Sequence, residues 1–295
     1  MRPTALIPAL LSAAALVLAF LCLFAGHKKD FMEDYHVLTL NTSRLGEGVV
    51  NGTLGSDDGT LGSLWDLVPD SIQSDVSEAA GVITEKLGIE DFYSAHLLDY
   101  CFGQYTPTET PNATISASDI HKNVTGCSNQ TAMFWFNPNE IIEQALNKSG
   151  LGVTLADLEW PEDVQKGLDA LRIVSVTAFV LYCIAIGLIF LSFVSALVAV
   201  FTSGRLSACV NLLLGILSFL VIGLASALVT AVIEKGGDVI NEKGNEIGLQ
   251  ANKGKKFEAL TWVATALTFV AMAMWVFETC VGRRRKVAYE PAKHG

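Results

Sequence analysis

The sequence predicts an all-α membrane protein: a bundle of four transmembrane helices with a small, disulfide-closed, glycosylated first extracellular loop domain. Two observations carry that reading. Four long apolar runs, almost free of charge, dominate a chain of 295 residues that is 51% hydrophobic, and about 20 such residues are what a bilayer core demands of a helix. Six Asn-x-Ser/Thr acceptor motifs, at Asn41, Asn51, Asn112, Asn123, Asn129 and Asn147, all fall between the first run and the second. Asn211, Asn241, Asn245 and Asn252, later in the chain, stand in no such motif. Because the motif is used only on the lumenal side, six in one segment place that segment outside.

The elements follow in order. A cytoplasmic N-terminus, 1–4, precedes the first span, 5–26. Arg2 and the small residues of Phe24-Ala25-Gly26 also suit a cleaved signal. The apolar run of about 21 residues is, however, longer than the 7–15 of a signal core, which favours an anchor. The extracellular loop domain occupies 27–172. It opens with a Gly-, Ser- and Asp-rich stretch, 45–63, expected to be irregular. A helix then starts at Pro69-Asp70-Ser71, carries Ile72, Val76, Ala79, Ala80, Ile83 and Leu87 at helical spacing, and stops at Gly88. A short helix is capped by Asn137 with Pro138 at its first position and ends near Gly150. A third starts at Trp160-Pro161, sets Val164, Leu168 and Leu171 on one face, and runs unbroken into the second span, 173–201. At 1.5 Å per residue that span reaches about 43 Å, more than a hydrocarbon core of ~30 Å needs. A cytoplasmic turn, 202–205, is too short for anything but a tight antiparallel hairpin with the third span, 206–233. A second extracellular loop, 234–258, leads to the fourth span, 259–281, and a cytoplasmic tail, 282–295. Gly223 with Ala227, and Ser192 with Ala196, are small-residue pairs suited to close helix contact inside the bundle.

Charge narrows the partners. Residues 27–171 hold 7 basic and 23 acidic side chains, a net of −16. So acidic a surface repels nucleic acid and is first of all a solubility device. Basic-residue bias supports a cytoplasmic tail through Arg283, Arg284, Arg285 and Lys286. The second outer loop nonetheless holds five basic and five acidic residues, so the glycosylation motifs rather than the charge rule decide the topology.

Of six cysteines, Cys22, Cys183 and Cys209 lie in apolar spans and Cys280 at the inner end of the fourth. Only Cys101 and Cys127 face the lumen, where an oxidising compartment joins them. Cys280 and the basic cluster suit a plain stop-transfer flank or an S-acylation setting, with Arg283 to Lys286 contacting anionic inner-leaflet lipid or a scaffold.

Catalytic patterns fail one by one. Gly248 to Lys256 has the wrong glycine spacing and a lysine where a phosphate loop needs Ser or Thr, and Gly46-Glu47-Gly48 lacks a third glycine. His36, His96 and His121 share no metal-ligand spacing and are ordinary surface or core histidines by type. The spans hold almost no ionisable groups, which weighs against a pump, channel or coupled carrier. No catalytic residue, metal or cofactor is expected.

The local motifs point further. Leu97-Leu98-Asp99-Tyr100-Cys101-Phe102-Gly103, then Cys127-Ser128 with Phe134-Trp135-Phe136-Asn137-Pro138, then Gly254-Lys255-Lys256-Phe257 through Leu260-Thr261-Trp262 together resemble the fungal Sur-seven/PalI family, whose plan is claudin-like. The resemblance covers nearly the whole chain except the glycine-rich stretch after span one and the tail. It implies a non-catalytic plasma-membrane protein that organises static cortical (eisosome-type) domains and is linked to endocytosis, cell-wall integrity and sphingolipid content. Implied partners are membrane lipids, cortical scaffold proteins and further copies of the chain. The other branch of the family implies an accessory subunit of an ambient-pH or stress receptor, but about a dozen residues after Gly282 depart from that branch's long tail.

Overall fold

A computed structural model describes residues 3–29, 31–45, 76–106, 120–156, 162–202, 205–245 and 248–287. In chain order the elements are α1 (Leu6–Phe24), β1 (Leu38–Asn41), α2 (Val76–Lys86), β2 (Phe92–Ala95), β3 (Tyr100–Thr106), β4 (His121–Cys127), α3 (Pro138–Ser149), α4 (Glu162–Phe201), α5 (Arg205–Ala231), a π turn (Val232–Gly236), α6 (Gly237–Gly244), β5 (Gln250–Lys253) and α7 (Lys255–Val287). Four helices are long and apolar enough to cross a membrane: Leu6–Phe24, Ala170–Phe201, Leu206–Gly244 and Lys255–Cys280. The chain divides into two compact units, a helix bundle and a sheet domain.

The bundle comprises Met1–Leu23, Thr177–Leu228 and Glu258–Gly295. Its outward faces carry Leu10, Val198, Leu213, Leu220, Val263 and Phe277, all exposed. An apolar girdle of that extent would aggregate in water and is covered by a bilayer. Inside, small residues admit close approach: Ala5, Ala9, Ala196 and Ala199 pack with Trp275. Ser192 and Ala196 are buried, and Gly223 faces Thr265, as internal packing requires, whereas Ala227 points outward. Four of the polar side chains, Tyr182, Ser226, Thr261 and Thr265, form a connected set. Ser226 Oγ shares hydrogen bonds with Thr261 Oγ1 (2.7 Å) and Thr265 Oγ1 (2.8 Å), and the Tyr182 hydroxyl pairs with Thr261 Oγ1. With no water available, these hydroxyls satisfy one another.

The sheet domain comprises Phe24–Val176 and Val229–Phe257. Its five strands run in the order β4-β3-β2-β1-β5, every pair antiparallel. Alternation sorts the faces. Leu38, Leu40, Tyr93, Ala95 and Ala251 point to one side and form a core with Ile83 and Leu87 of α2, Ile142 and Leu146 of α3, and Ile240 of α6. Thr39 and Ser94 point to the other and hydrogen-bond each other at 3.1 Å.

Several expectations meet the structure directly. α3 begins after Asn137 with Pro138 at its first turn, and Gly150 closes it in the left-handed region. Gly88, φ +68°, ends α2, while the expected start at residues 69–71 and the irregular stretch from 46 to 63 lie outside the described residues. α4 is continuous from Glu162 to Phe201. The strands were not anticipated. Nor is 234–258 the loop expected there: helix continues from α5 through the π turn to Gly244, β5 follows, and α7 starts at Lys255. The cause is burial. Ile240, Leu249 and Ala251 enter the sheet domain's core, but the charges between them mask the pattern from a hydropathy reading. The first span is shorter than 5–26, since α1 ends at Phe24 and Gly26 turns the chain at φ +79°.

Candidate functional site

Two adjoining features of the sheet domain are shaped by specific side chains: the disulfide-braced hairpin and a cavity beneath the β2–β3 turn. Cys101 and Cys127 are register partners across β3 and β4 and form a disulfide closing 26 residues. Phe102 pairs with Gly126 next, and the register then shifts between Phe102 and Gly103. A Cβ at Gly103 would lie 2.0 Å from the Asn123 carbonyl oxygen, so only glycine lets the strands approach there. The β2–β3 turn closes with His96 N–H donating to Asp99 O at 2.9 Å. Tyr100 stacks on Phe134 and meets Phe136 edge-on, which ties the segment after β4 to the sheet.

The cavity, about 50 Å³, is lined by Ala95, His96, Phe134, Trp135, Phe136, Leu171, Ser175, Val229 and Val232 among others. Arg172 lies over the Trp135 ring at 5.5 Å, a cation–π arrangement. His96 is 4% exposed, and neither ring nitrogen makes a hydrogen bond of good geometry, although the Tyr35 backbone is near. Burial holds its pKa down to about 3 and that of His36 to about 4, so both rings are neutral at ordinary pH. Burial pushes the Asp99 carboxyl up to about 6, against an opposing hydrogen bond from Gln130.

Lysines near the start of α7 are paired within the same domain. Lys253 Nζ contacts Glu234 at 2.5 Å and Asp238 at 2.8 Å, Lys255 contacts Glu234, and Lys256 meets Asp34 at 2.5 Å. The Lys256 ammonium holds the Asp34 carboxyl below its usual range.

Of the expected acceptor asparagines, Asn123, Asn129 and Asn147 are exposed. Asn41 is not. It sits in β1 between β2 and β5, 6% exposed, with Oδ1 accepting from Ser43 N–H (3.1 Å) and Ser43 Oγ (2.8 Å). Asn51 and Asn112 lie outside the described residues. Cys280 is free and exposed, and Arg283, Arg284, Arg285 and Lys286 continue the backbone of α7; their side chains lie outside the described residues. His96, Trp135, Arg172 and Ser175 were not singled out by sequence as a set, because nothing in their spacing links them.

A model of the SUR7/PalI family matches residues 4–274. The chain belongs to that family. This SUR7/PalI protein is therefore a multi-pass membrane protein with four candidate transmembrane helices and a disulfide in its loop domain, in a family of non-enzymatic membrane proteins. No curated protein and no solved structure matches the chain.

Proposed function

We propose that this protein is a non-catalytic organiser of static cortical domains in the plasma membrane, of the eisosome type, tied to endocytosis, cell-wall integrity and sphingolipid content. In this reading the acidic, glycosylated sheet domain faces the cell wall and both termini are cytoplasmic. The observation that carries it is family membership over residues 4–274, joined to a loop domain braced by the Cys101–Cys127 disulfide. Two features support the orientation. The acceptor motifs all fall between the first two spans. The Arg283 to Lys286 cluster follows the fourth span, as the positive-inside bias asks of a cytoplasmic tail. That cluster engages anionic inner-leaflet lipid or a cortical scaffold, with exposed Cys280 beside it for acylation, and further copies of the chain pack laterally.

The competing reading is an accessory subunit of an ambient-pH or stress receptor. His36 and His96 give it little support, since both stay neutral through the neutral range. Photobleaching of a C-terminally tagged copy at native expression separates the two. Stable cortical patches that fail to recover within minutes are expected. A diffuse or endosomal signal, with co-purification of a larger receptor, would move the accessory role to first place.

A further inference from the structure

The two edges of the sheet are finished differently. Strand order leaves β5 at one edge and β4 at the other. On β5 the outward backbone groups of Ala251 are closed by Asn241 of α6. Its side-chain amide donates to the Ala251 carbonyl at 3.0 Å and accepts from the Ala251 N–H at 2.7 Å. On β4 the Asn123 carbonyl faces Gly103 of β3, so by alternation the N–H and C=O of Lys122 and Val124 point away from the sheet. Among the described residues no strand pairs with that side. Such an edge is a template for another strand, and proteins blunt it with lysine, proline, a bulge or a cover. β4 contains no proline. Its lysine turns inward, Lys122 Nζ donating to Thr39 Oγ1 at 2.9 Å and Ser94 Oγ at 3.4 Å. The bulge lies toward the strand's end, with Thr125 the extra residue between the pairs Phe102–Gly126 and Gly103–Val124. That leaves His121 to Val124 regular and open. Within this stretch stands Asn123, first residue of the acceptor triplet Asn123-Val124-Thr125, and both it and its register partner Gln104 are exposed.

We propose that a glycan on Asn123 covers this edge and keeps β4 from pairing with β4 of a second copy of the chain.

Position selects Asn123 over the other exposed acceptors. Asn129 follows β4 and Asn147 lies on α3, so neither stands within the open ladder. A glycan is bulky and solubilising. On the outermost strand it overhangs the side where a second strand would have to come within about 4.8 Å. A second copy is the partner to exclude because the edge is complementary to itself. Two β4 strands related by a two-fold axis meet antiparallel, the pairing that every neighbouring pair of this sheet already uses. The claim rests on the lumenal orientation in the reading above and not on the cortical role.

The test uses the full chain made in a glycosylating host and purified in detergent micelles. Mass spectrometry reads occupancy at each acceptor, light scattering reads the protein mass, and hydrogen exchange reads the amides of 121–125. Asn123 is expected to be occupied. Asn123→Gln should roughly double the protein mass by forming a dimer and slow exchange across 121–125 by about ten-fold, whereas Asn129→Gln and Asn147→Gln should do neither. Adding Val124→Pro to Asn123→Gln removes an outward N–H and should restore the monomer. Should Asn123→Gln fail to fold, enzymatic removal of the sugars from the folded wild-type chain makes the same comparison. A bare Asn123 beside occupied Asn129 and Asn147 would overturn this proposal alone, as would unchanged mass and exchange once the glycan is gone, or an equal rise in mass in all three single variants. A chain with no glycan at any acceptor would overturn both this proposal and the lumenal orientation beneath it.

Discussion

Asp99 shows how a single side chain can oppose the fold it belongs to. Its carboxyl is fully buried beside the β2–β3 turn and its pKa is raised to about 6, above the unfolded value near 3.9. Between those values the native state holds the extra proton, so this group's contribution to stability falls as pH rises from about 4 to 6. Asp99→Asn is therefore expected to stabilise the sheet domain at pH 7.5 by on the order of 1–2 kcal/mol after screening, with no gain below pH 4. Melting curves at the two pH values check it. His96 has the opposite sign. Its folded pKa of about 3 lies below the unfolded value near 6.5, so its contribution is complete above 6.5 and is lost as pH falls toward 3. His96→Gln should flatten the acid side of the stability profile, measured by the same melts. At Gly103 the argument is steric. Gly103→Ala sets a methyl against the Asn123 carbonyl and should cost about 3 kcal/mol or more, seen as a lowered midpoint in denaturant. At Asn41 it is accessibility. Asn41→Gln should leave the glycoprotein mass unchanged, while the same change at Asn123 or Asn129 should remove one glycan each, read by intact mass.

Elements differ in how far their own residues specify them. α3 was legible because Asn137-Pro138 and Gly150 are strong local signals, and α4 because its apolar run is long. β1 and β5 were not. Each is four residues long, and they pair with each other across about 200 residues of chain, a relation no local window contains. The disulfide pairing followed from topology, but its place as a register pair on two strands did not. In the loop-entropy model a bridge closing 26 residues stabilises by roughly 3.5 kcal/mol. Cys101→Ser or Cys127→Ser should thus retain the protein in the endoplasmic reticulum, and normal surface delivery of both would contradict a structural role. Within the bundle, Ser226→Ala removes one hydroxyl from the set with Thr261 and Thr265. It should cost about 0.5–1.5 kcal/mol, the range for polar contacts between membrane helices, measured by unfolding in mixed micelles.

For the whole molecule, charge distribution is the organising variable. The basic residues nearest the fourth span's first turn are paired with acids, and the Arg283 to Lys286 group follows that span's other end. Replacing all four by Ala is expected to disperse cortical patches without changing surface delivery. Patches that remain immobile would locate the anchoring elsewhere in the chain.

Residue order by itself determined the number of spans, the acidic loop domain, the identity of its two bridged cysteines and the family. These rest on composition and on signals read within one helix or one turn. Tertiary structure alone decided that the loop domain is built on a sheet, that the second loop supplies its edge strand, that Asn41 is enclosed, and that His96, Trp135, Leu171 and Ser175 line one cavity. Such facts depend on which residues far apart in the chain come to lie face to face. The free energy that selects those pairings is burial summed over the whole core, which no single stretch of sequence carries.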